Sequence, residues 1–189
     1  MRVFFCFDLQ PDLKVQIYKK FSHLRHSTVR VSWVKPENMH ITLKFLGEVD
    51  ERRIEDFKEA AQTAITNAEV ASNIKVVLER IGAFPAIERP RVVWIGPASE
   101  PQAVISLAAA LESQLVGIGF EPERKPFTTH VTLGRVKDQS RSLRELTELI
   151  QRTPPFAYKA SISRLTLMES KLSPQGSVYR PVFELPFES

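Results

Sequence analysis

The tetrapeptide His-x-Thr-Leu occurs twice in this 189-residue chain, as His40-Ile-Thr-Leu and as His130-Val-Thr-Leu, with the histidines 90 positions apart. Both copies sit in stretches rich in β-branched and apolar residues, which favour extended strands. In a strand, successive side chains point to opposite faces. His40 and Thr42 therefore share one face, with Ile41, Leu43 and Phe45 on the other. In the second copy His130 and Thr132 share a face, and Val131 and Leu133 point away. Each copy presents an imidazole beside a hydroxyl, above an apolar underside that must be buried. The chain has four histidines, and two of them fall at these matched positions. The spacing implies an internal duplication in which each half supplies one His-Thr strand. If the halves pack about a pseudo-twofold axis, two imidazoles face each other across a cleft. Acid-base chemistry at a phosphate needs such a pair, one ring taking a proton while the other gives one.

The remaining pattern supplies a frame for those strands. Residues 2–9 read as a central strand, and Pro11 opens a helix with an apolar stripe of Leu13, Ile17, Phe21 and Leu24. A strand over 29–34 and a turn at Lys35-Pro-Glu-Asn lead to the first motif strand, 39–49, which Gly47 closes. Asp50 is placed to cap a helix running to Asn67, and Ser99 to cap one carrying Val104, Leu107, Leu111 and Leu115. Between these helices lie strands over 73–84 and 91–96, joined by a Pro-containing loop. The second motif strand spans 128–136, a helix spans 140–152, and long strands over 157–168 and 177–187 close the chain. About eight strands and four helices, with strand-helix-strand units in both halves, make an α+β fold with two sheets backed by helices.

Composition narrows the class of protein. Hydrophobic residues make up 43% and charged residues 25%, ordinary globular usage that excludes a disordered chain. Cys6 is the only cysteine, so no intrachain disulfide forms, and its apolar surroundings make it a small buried residue. The apolar run at 3–7 is broken by Asp8 too early for a secretory signal, and no stretch has the length of a membrane span. The expectation is a soluble cytoplasmic monomer that does not engage a membrane. A net charge of +4 favours an anionic partner.

The paired motifs resemble those of the two-histidine (2H) phosphoesterase superfamily, and within it the RNA 2',3'-cyclic phosphodiesterase family, also called 2'-5' RNA ligase. The likeness extends to Met1-Arg-Val-Phe-Phe, Trp33-Val-Lys-Pro-Glu-Asn-Met-His, Arg89-Pro-Arg-Val-Val-Trp-Ile-Gly and Tyr179-Arg-Pro-Val-Phe-Glu-Leu, and so covers nearly the whole chain. It implies two ferredoxin-like lobes with two antiparallel sheets around a central cleft, residues 1–189 forming one bilobal domain. It implies hydrolysis of RNA 2',3'-cyclic phosphate ends to 2'-phosphomonoesters, with no metal or other cofactor, and reversal of that chemistry as 2'-5' ligation. His40 becomes the proton donor and His130 the acceptor by the same resemblance; the motifs are nearly symmetric and do not assign these roles. Thr42 and Thr132 would donate hydrogen bonds to the non-bridging phosphate oxygens. Two histidines and two threonines make no closed zinc set, which agrees with a metal-free reaction.

Three further residues read as substrate-binding. Arg135 matches a frequent arginine of the family, and a guanidinium suits phosphate. Strict alternation puts Arg135 opposite His130, so a bulge near Gly134 is needed to bring it round; Phe45 holds the equivalent place in the first copy. Lys44 lies on the His40 face by the same alternation and within reach of a phosphate. Trp33, Trp94 and Tyr179 can stack a base, with core packing favoured for the tryptophans and Tyr179 placed at the cleft rim after the turn Ser173-Pro-Gln-Gly. His23 and His26 read as solvated. The rival substrates are a small cyclic nucleotide or an ADP-ribose cyclic phosphate. The rival classes are a metal hydrolase and a non-catalytic RNA-binding module, although Val3-Phe-Phe-Cys-Phe lacks the alternating basic and aromatic pattern of the latter.

Overall fold

The computed structural model describes residues 1–137, 143–174 and 176–187. The helix start expected at Ser140 and Gln175 of the Ser173–Gly176 turn lie outside the described residues. Strand β1 (Arg2–Asp8) is the spine of the larger sheet. It is buried on both faces: Val3, Phe5 and Phe7 enter the main core, while Phe4 and Cys6 pack with Met168 on the other side. Its run of phenylalanines therefore makes a central strand, as its composition demands.

Helices cover the main-core face. α1 (Pro11–Lys20) begins on Pro11, whose missing amide costs nothing at a helix start. β2 (Val31–Trp33) and a short 3-10 turn at Pro36–Asn38 precede β3 (His40–Glu48), the first motif strand. Asp50 does accept a hydrogen bond from the amide of Arg52, but it caps a 3-10 turn at Glu51–Arg53, after which α2 (Ile54–Asn67) follows. α3 (Gln102–Gly117) buries Val104, Leu107, Leu111 and Leu115 at spacings of three and four. Ser99 is not its cap: the helix starts one residue past Pro101, and the preceding Glu100 turns its carboxylate to the amide of Thr129 instead.

The expected strands over 73–84 and 157–168 are each interrupted by a single residue. The first divides at Glu79 into β4 (Ile74–Leu78) and β5 (Arg80–Ala86), which forms a hairpin with β6 (Arg89–Gly96). After β7 (Val131–Val136) and α4 (Arg144–Gln151), the second divides at Ser163 into β8 (Tyr158–Ile162) and β9 (Arg164–Ser173), and β10 (Gly176–Pro186) closes the fold. β4 and β8 pair with each other as a two-stranded sheet. The other strands form an eight-stranded antiparallel sheet in the order β10-β9-β1-β3-β7-β6-β5, with β2 also on β7. The described residues thus hold ten strands and four α-helices in two antiparallel sheets. None of those helices is long and apolar enough to cross a membrane.

The two halves of the large sheet meet at a single residue pair, Ile41 of β3 against Val131 of β7, both fully buried. On either side of it the registers repeat. Thr42 pairs Cys6, Lys44 pairs Phe5 and Phe45 pairs Phe4. Thr132 pairs Trp94, Gly134 pairs Val93 and Arg135 pairs Val92. In both strands the step from threonine crosses an extra residue, Leu43 or Leu133, so each carries a bulge at the same place. A bulge puts two successive side chains on one face and flips the alternation beyond it. Leu43 and Lys44 both turn to the helix side, as do Leu133 and Gly134, and Phe45 and Arg135 swing onto the histidine face.

The bulge at Gly134 needs a residue without a side chain. A Cβ there would come within 2.6–2.7 Å of the Trp33 ring and Val31, and neither a rigid indole nor a branched methyl in a packed site gives way cheaply. Gly134→Val is expected to lower unfolding stability by about 1–3 kcal/mol, read as a fall in the urea midpoint at unchanged slope.

Candidate active site

Antiparallel register from the Ile41–Val131 pair sets His40 opposite Thr132 and His130 opposite Thr42, one residue to each side of the seam. All four side chains are half-buried. The rings are anchored alike. His40 Nδ1 donates to the carbonyl of Asn38 at 2.7 Å, and His130 Nδ1 donates to the carbonyl of Thr128 at 2.8 Å. A carbonyl only accepts, so each Nδ1 carries the proton and each Nε2 is left as the reactive nitrogen. The Thr42 hydroxyl stands 2.9 Å from His40 Nε2. The arrangement is a pair of neutral imidazoles whose Nε2 atoms carry no proton at rest.

Their surroundings differ. His40 is enclosed by aromatic rings, Phe4 at 4.8 Å and Tyr179 edge-on at 5.3 Å between centroids. Tyr179 arrives there because the outer part of the β9–β10 hairpin reaches to the His40 end, where the Asn38 side-chain amide donates to the carbonyl of Ser177 at 2.7 Å. Asn38 thus fastens this arm with its side chain and orients His40 with its backbone. Burial pushes the His40 pKa down to about 4, against smaller upward contributions from the Asn38 bond and from Asp8. Asp8 itself is held by Lys14 at 2.6 Å. His130 lies edge-on to Phe84 at 5.1 Å, with Trp94 at 6.3 Å. Its pKa is also lowered, first by burial and then by the charge of Arg135, while the Thr128 bond and Glu100 oppose the fall. Glu100 takes both its oxygens to the Thr129 amide and so fixes the backbone next to His130.

Three expectations for binding residues have different outcomes. Arg135 reaches the His130 face through the bulge, and it acts electrostatically on that ring. Tyr179 stands against His40 and Phe4. Lys44 requires correction: the bulge at Leu43 turns it to the helix side, where its ammonium is buried against Glu112 at 2.9 Å and Glu123 at 3.4 Å. It is a structural cation between β3 and α3, not a phosphate ligand. The same bulge corrects Phe45, which shares the histidine face and lies 5.6 Å from Phe4. Asn38, Glu100, Phe4 and Phe84 went unnoticed in the sequence; the asparagine two residues before the first histidine was the one legible signal among them.

The other singled-out groups are elsewhere employed. Trp33 packs over Gly134, and Trp94 lies across Gly82 with the Arg80 guanidinium 5.1 Å from its ring centre. Cys6 is fully buried, and burial pushes its thiol up, so it stays protonated. His26 is exposed, while His23 is half-buried against the Thr153 hydroxyl at 3.0 Å.

Matched His-x-Thr strands meeting at a pseudo-twofold seam define a 2H phosphoesterase. The chain belongs to the LigT-like phosphoesterase family: the model described as "LigT like Phosphoesterase" matches residues 7–94 and again residues 95–179, one match per half. The RNA 2',3'-cyclic phosphodiesterase of Thermotoga maritima is 32% identical over 188 residues, covering 100% of this chain and 96% of the relative. Escherichia coli LigT, solved with 3'-AMP, superposes with a TM-score of 0.77 at 26% identity, covering 100% of this chain and 98% of that one. The protein TT0787 of Thermus thermophilus gives 0.77 at 25% identity, over 99% and 98%.

Asn38→Ala removes the amide that holds the arm but keeps the carbonyl that orients the ring. Loosening the cover rehydrates His40, which relieves the penalty on its charged form. Its titration midpoint, followed by the ring Cε1–H signal, is expected to rise from about 4 toward 6.5 while that of His130 stays in place. A His40 midpoint still near 4 would assign the cover to Tyr179–Phe4 packing alone.

Proposed function

We propose that the protein hydrolyses RNA 2',3'-cyclic phosphate ends to 2'-phosphomonoesters, its two halves acting as one bilobal unit over residues 1–189. The observation that carries this reading is the matched pair of imidazoles beside one strand seam, each with Nδ1 fixed on a carbonyl. The names of the relatives support the substrate, since proteins about as long as this one and 30–33% identical are RNA 2',3'-cyclic phosphodiesterases.

In the reaction His130 Nε2 takes a proton from water as its oxygen forms a bond to phosphorus. His40 Nε2, protonated, gives its proton to O3' as the P–O3' bond breaks, leaving phosphate on O2'. The Nδ1 protons stay on their carbonyls throughout and keep both rings aligned. Thr42, Thr132 and Arg135 hold the non-bridging oxygens, where charge develops. Among the described residues no group of three or more His, Cys, Asp or Glu is placed to hold a metal, and the proposed steps need none. With a ribose hydroxyl in place of water as the incoming or departing group, the same residues would run 2'-5' ligation.

The assay is hydrolysis of a short oligonucleotide ending in a cyclic phosphate, with EDTA present and the product phosphate located. His40→Ala and His130→Ala are each expected to lower kcat by about 100-fold or more while RNA binding stays within a few-fold. Full activity in both variants would overturn the assignment of the two histidines, whereas a wild-type protein that binds RNA without turning it over would be a non-catalytic RNA-binding module.

The pH profile follows from the lowered imidazoles. Catalysis needs one ring protonated and one neutral. Both values lie below 6.5 in the free enzyme, so the singly protonated pair is lost as pH rises through the upper one. The kcat/KM optimum is therefore expected below pH 6.5, falling about tenfold per pH unit on its alkaline side. The kcat optimum should lie higher, because a bound phosphate anion stabilises imidazolium. A kcat/KM flat to pH 8 would show that some group other than an imidazole donates the proton.

A further inference from the structure

Two lysines are buried among the described residues, Lys14 and Lys44. A protein buries an ammonium only where fixed partners replace its water. Lys44 finds such a partner on α3 and serves the fold. Lys14 of α1 is 7% exposed, and its partners stand beside the first motif histidine. Its Nζ donates to Asp8 Oδ1 at 2.6 Å and to the backbone carbonyl of Glu37 at 3.2 Å. Asp8 ends β1 directly opposite His40 in the β1–β3 register. Residues so paired turn their side chains to one face, with Cβ atoms about 4.5–5.5 Å apart. Glu37 lies in the 3-10 turn just before Asn38, whose carbonyl accepts from His40 Nδ1. One ammonium thus ties together the strand end and the turn that flank the imidazole.

The two contacts have separate consequences. A free carboxylate opposite His40 would compete with the Asn38 carbonyl for the Nδ1 proton and would hold the charged ring as an ion pair. Lys14 occupies that carboxylate and cancels its charge. The Glu37 contact fixes the turn, so that the next carbonyl stays in line with the ring. We propose that Lys14 is a positioning residue for His40, pinning the Pro36–Asn38 turn and keeping Asp8 from drawing the imidazole or its proton away. The inference rests on the acid-base role given to His40 above and names the group that maintains it. The second half uses an anion for the comparable task, Glu100 on the Thr129 amide. The charged and titratable groups around His40 are Asp8 from β1, Lys14 from α1 and His130 beyond the seam, with Tyr179 of β10 against the ring.

The test uses Lys14→Met and the charge-balanced pair Asp8→Asn/Lys14→Met, which leaves no lone buried charge and keeps the experiment open if the single variant folds poorly. His40 is followed by its ring 15N shifts and its titration midpoint, and turnover by the cyclic-phosphate oligonucleotide. In Lys14→Met a cation is lost and an anion freed, and both favour imidazolium. The His40 midpoint is expected to rise by about one pH unit or more, with that of His130 in place. A donor held by Asp8 is a weaker acid on a looser turn, so kcat should fall about 10-fold or more with KM within a few-fold. In the double variant the midpoint should return to the wild-type value. The unpinned turn should still leave a mixture of Nδ1–H and Nε2–H tautomers and a lowered kcat. An unmoved His40 midpoint in Lys14→Met, or a double variant with wild-type kcat and a single Nδ1–H tautomer, would overturn the assignment. The ring measurements need no turnover, so a wild-type protein without hydrolytic activity would remove the activity reading and leave the positioning result to stand or fall by itself.

Discussion

One contact between two fully buried β-branched residues, Ile41 against Val131, joins the halves of the large sheet. Each of these residues directly follows a motif histidine. Because strand side chains alternate, burying Ile41 and Val131 against the core forces His40 and His130 to the opposite face. The hydrophobic effect that closes the seam thus also aims the imidazoles. A slip of one residue in either strand would bury a histidine and expose its neighbour, so fold stability and site geometry rest on the same register. The bulges beyond each threonine then turn the alternation over once more. They send Lys44 into an ion pair with α3 and bring Phe45 and Arg135 to the open face.

Upon this symmetric frame the chain builds an asymmetric site. The β9–β10 arm brings Tyr179 over His40, whereas the cover over His130 comes from Phe84 and Trp94 of the β5–β6 hairpin. Asp8 near His40 is neutralised by Lys14, whereas Glu100 near His130 is engaged with the backbone of Thr129. The bulge positions carry a phenyl ring in one half and a guanidinium in the other. The family model matches both halves, and these differences between them lie on the histidine face.

Much of this was legible in the sequence. The alternation around each motif assigned His40, Thr42, His130 and Thr132 to one face, and the apolar run at 3–7 marked β1 as the central strand. What alternation could not supply was its own interruption. A bulge is a backbone event, and here only Gly134 hinted at it; Lys44 occupies the same bulge position in the first half and gives no sign, so its face was misread. Nor does a hydrophobic run show that it will divide between two sheets, as the stretches around Glu79 and Ser163 do. Asn38 and Thr128 act on the histidines through their carbonyls, which every residue has. The arm that covers His40 is fastened 139 positions away in the chain, a proximity that only tertiary structure creates.

The burial of His40 bears on how the site obtains its proton. An imidazole held at about 4 is almost wholly neutral near pH 7, which would disable a donor in the empty enzyme. On the proposed mechanism the substrate would supply the remedy, because an anionic phosphate at the seam stabilises imidazolium in surroundings of low polarity. The aromatic cover that lowers the resting value also strengthens that attraction, since the same exclusion of water weakens screening. On that mechanism the proton would be drawn in with the substrate. As the P–O3' bond broke, that proton would sit on an imidazolium made more acidic by its apolar surroundings than one in water. A more open pocket would keep His40 protonated more of the time but would make it a poorer acid. The arm over His40 moves this balance toward acidity, on the half where the proposed mechanism has the ribose oxygen depart.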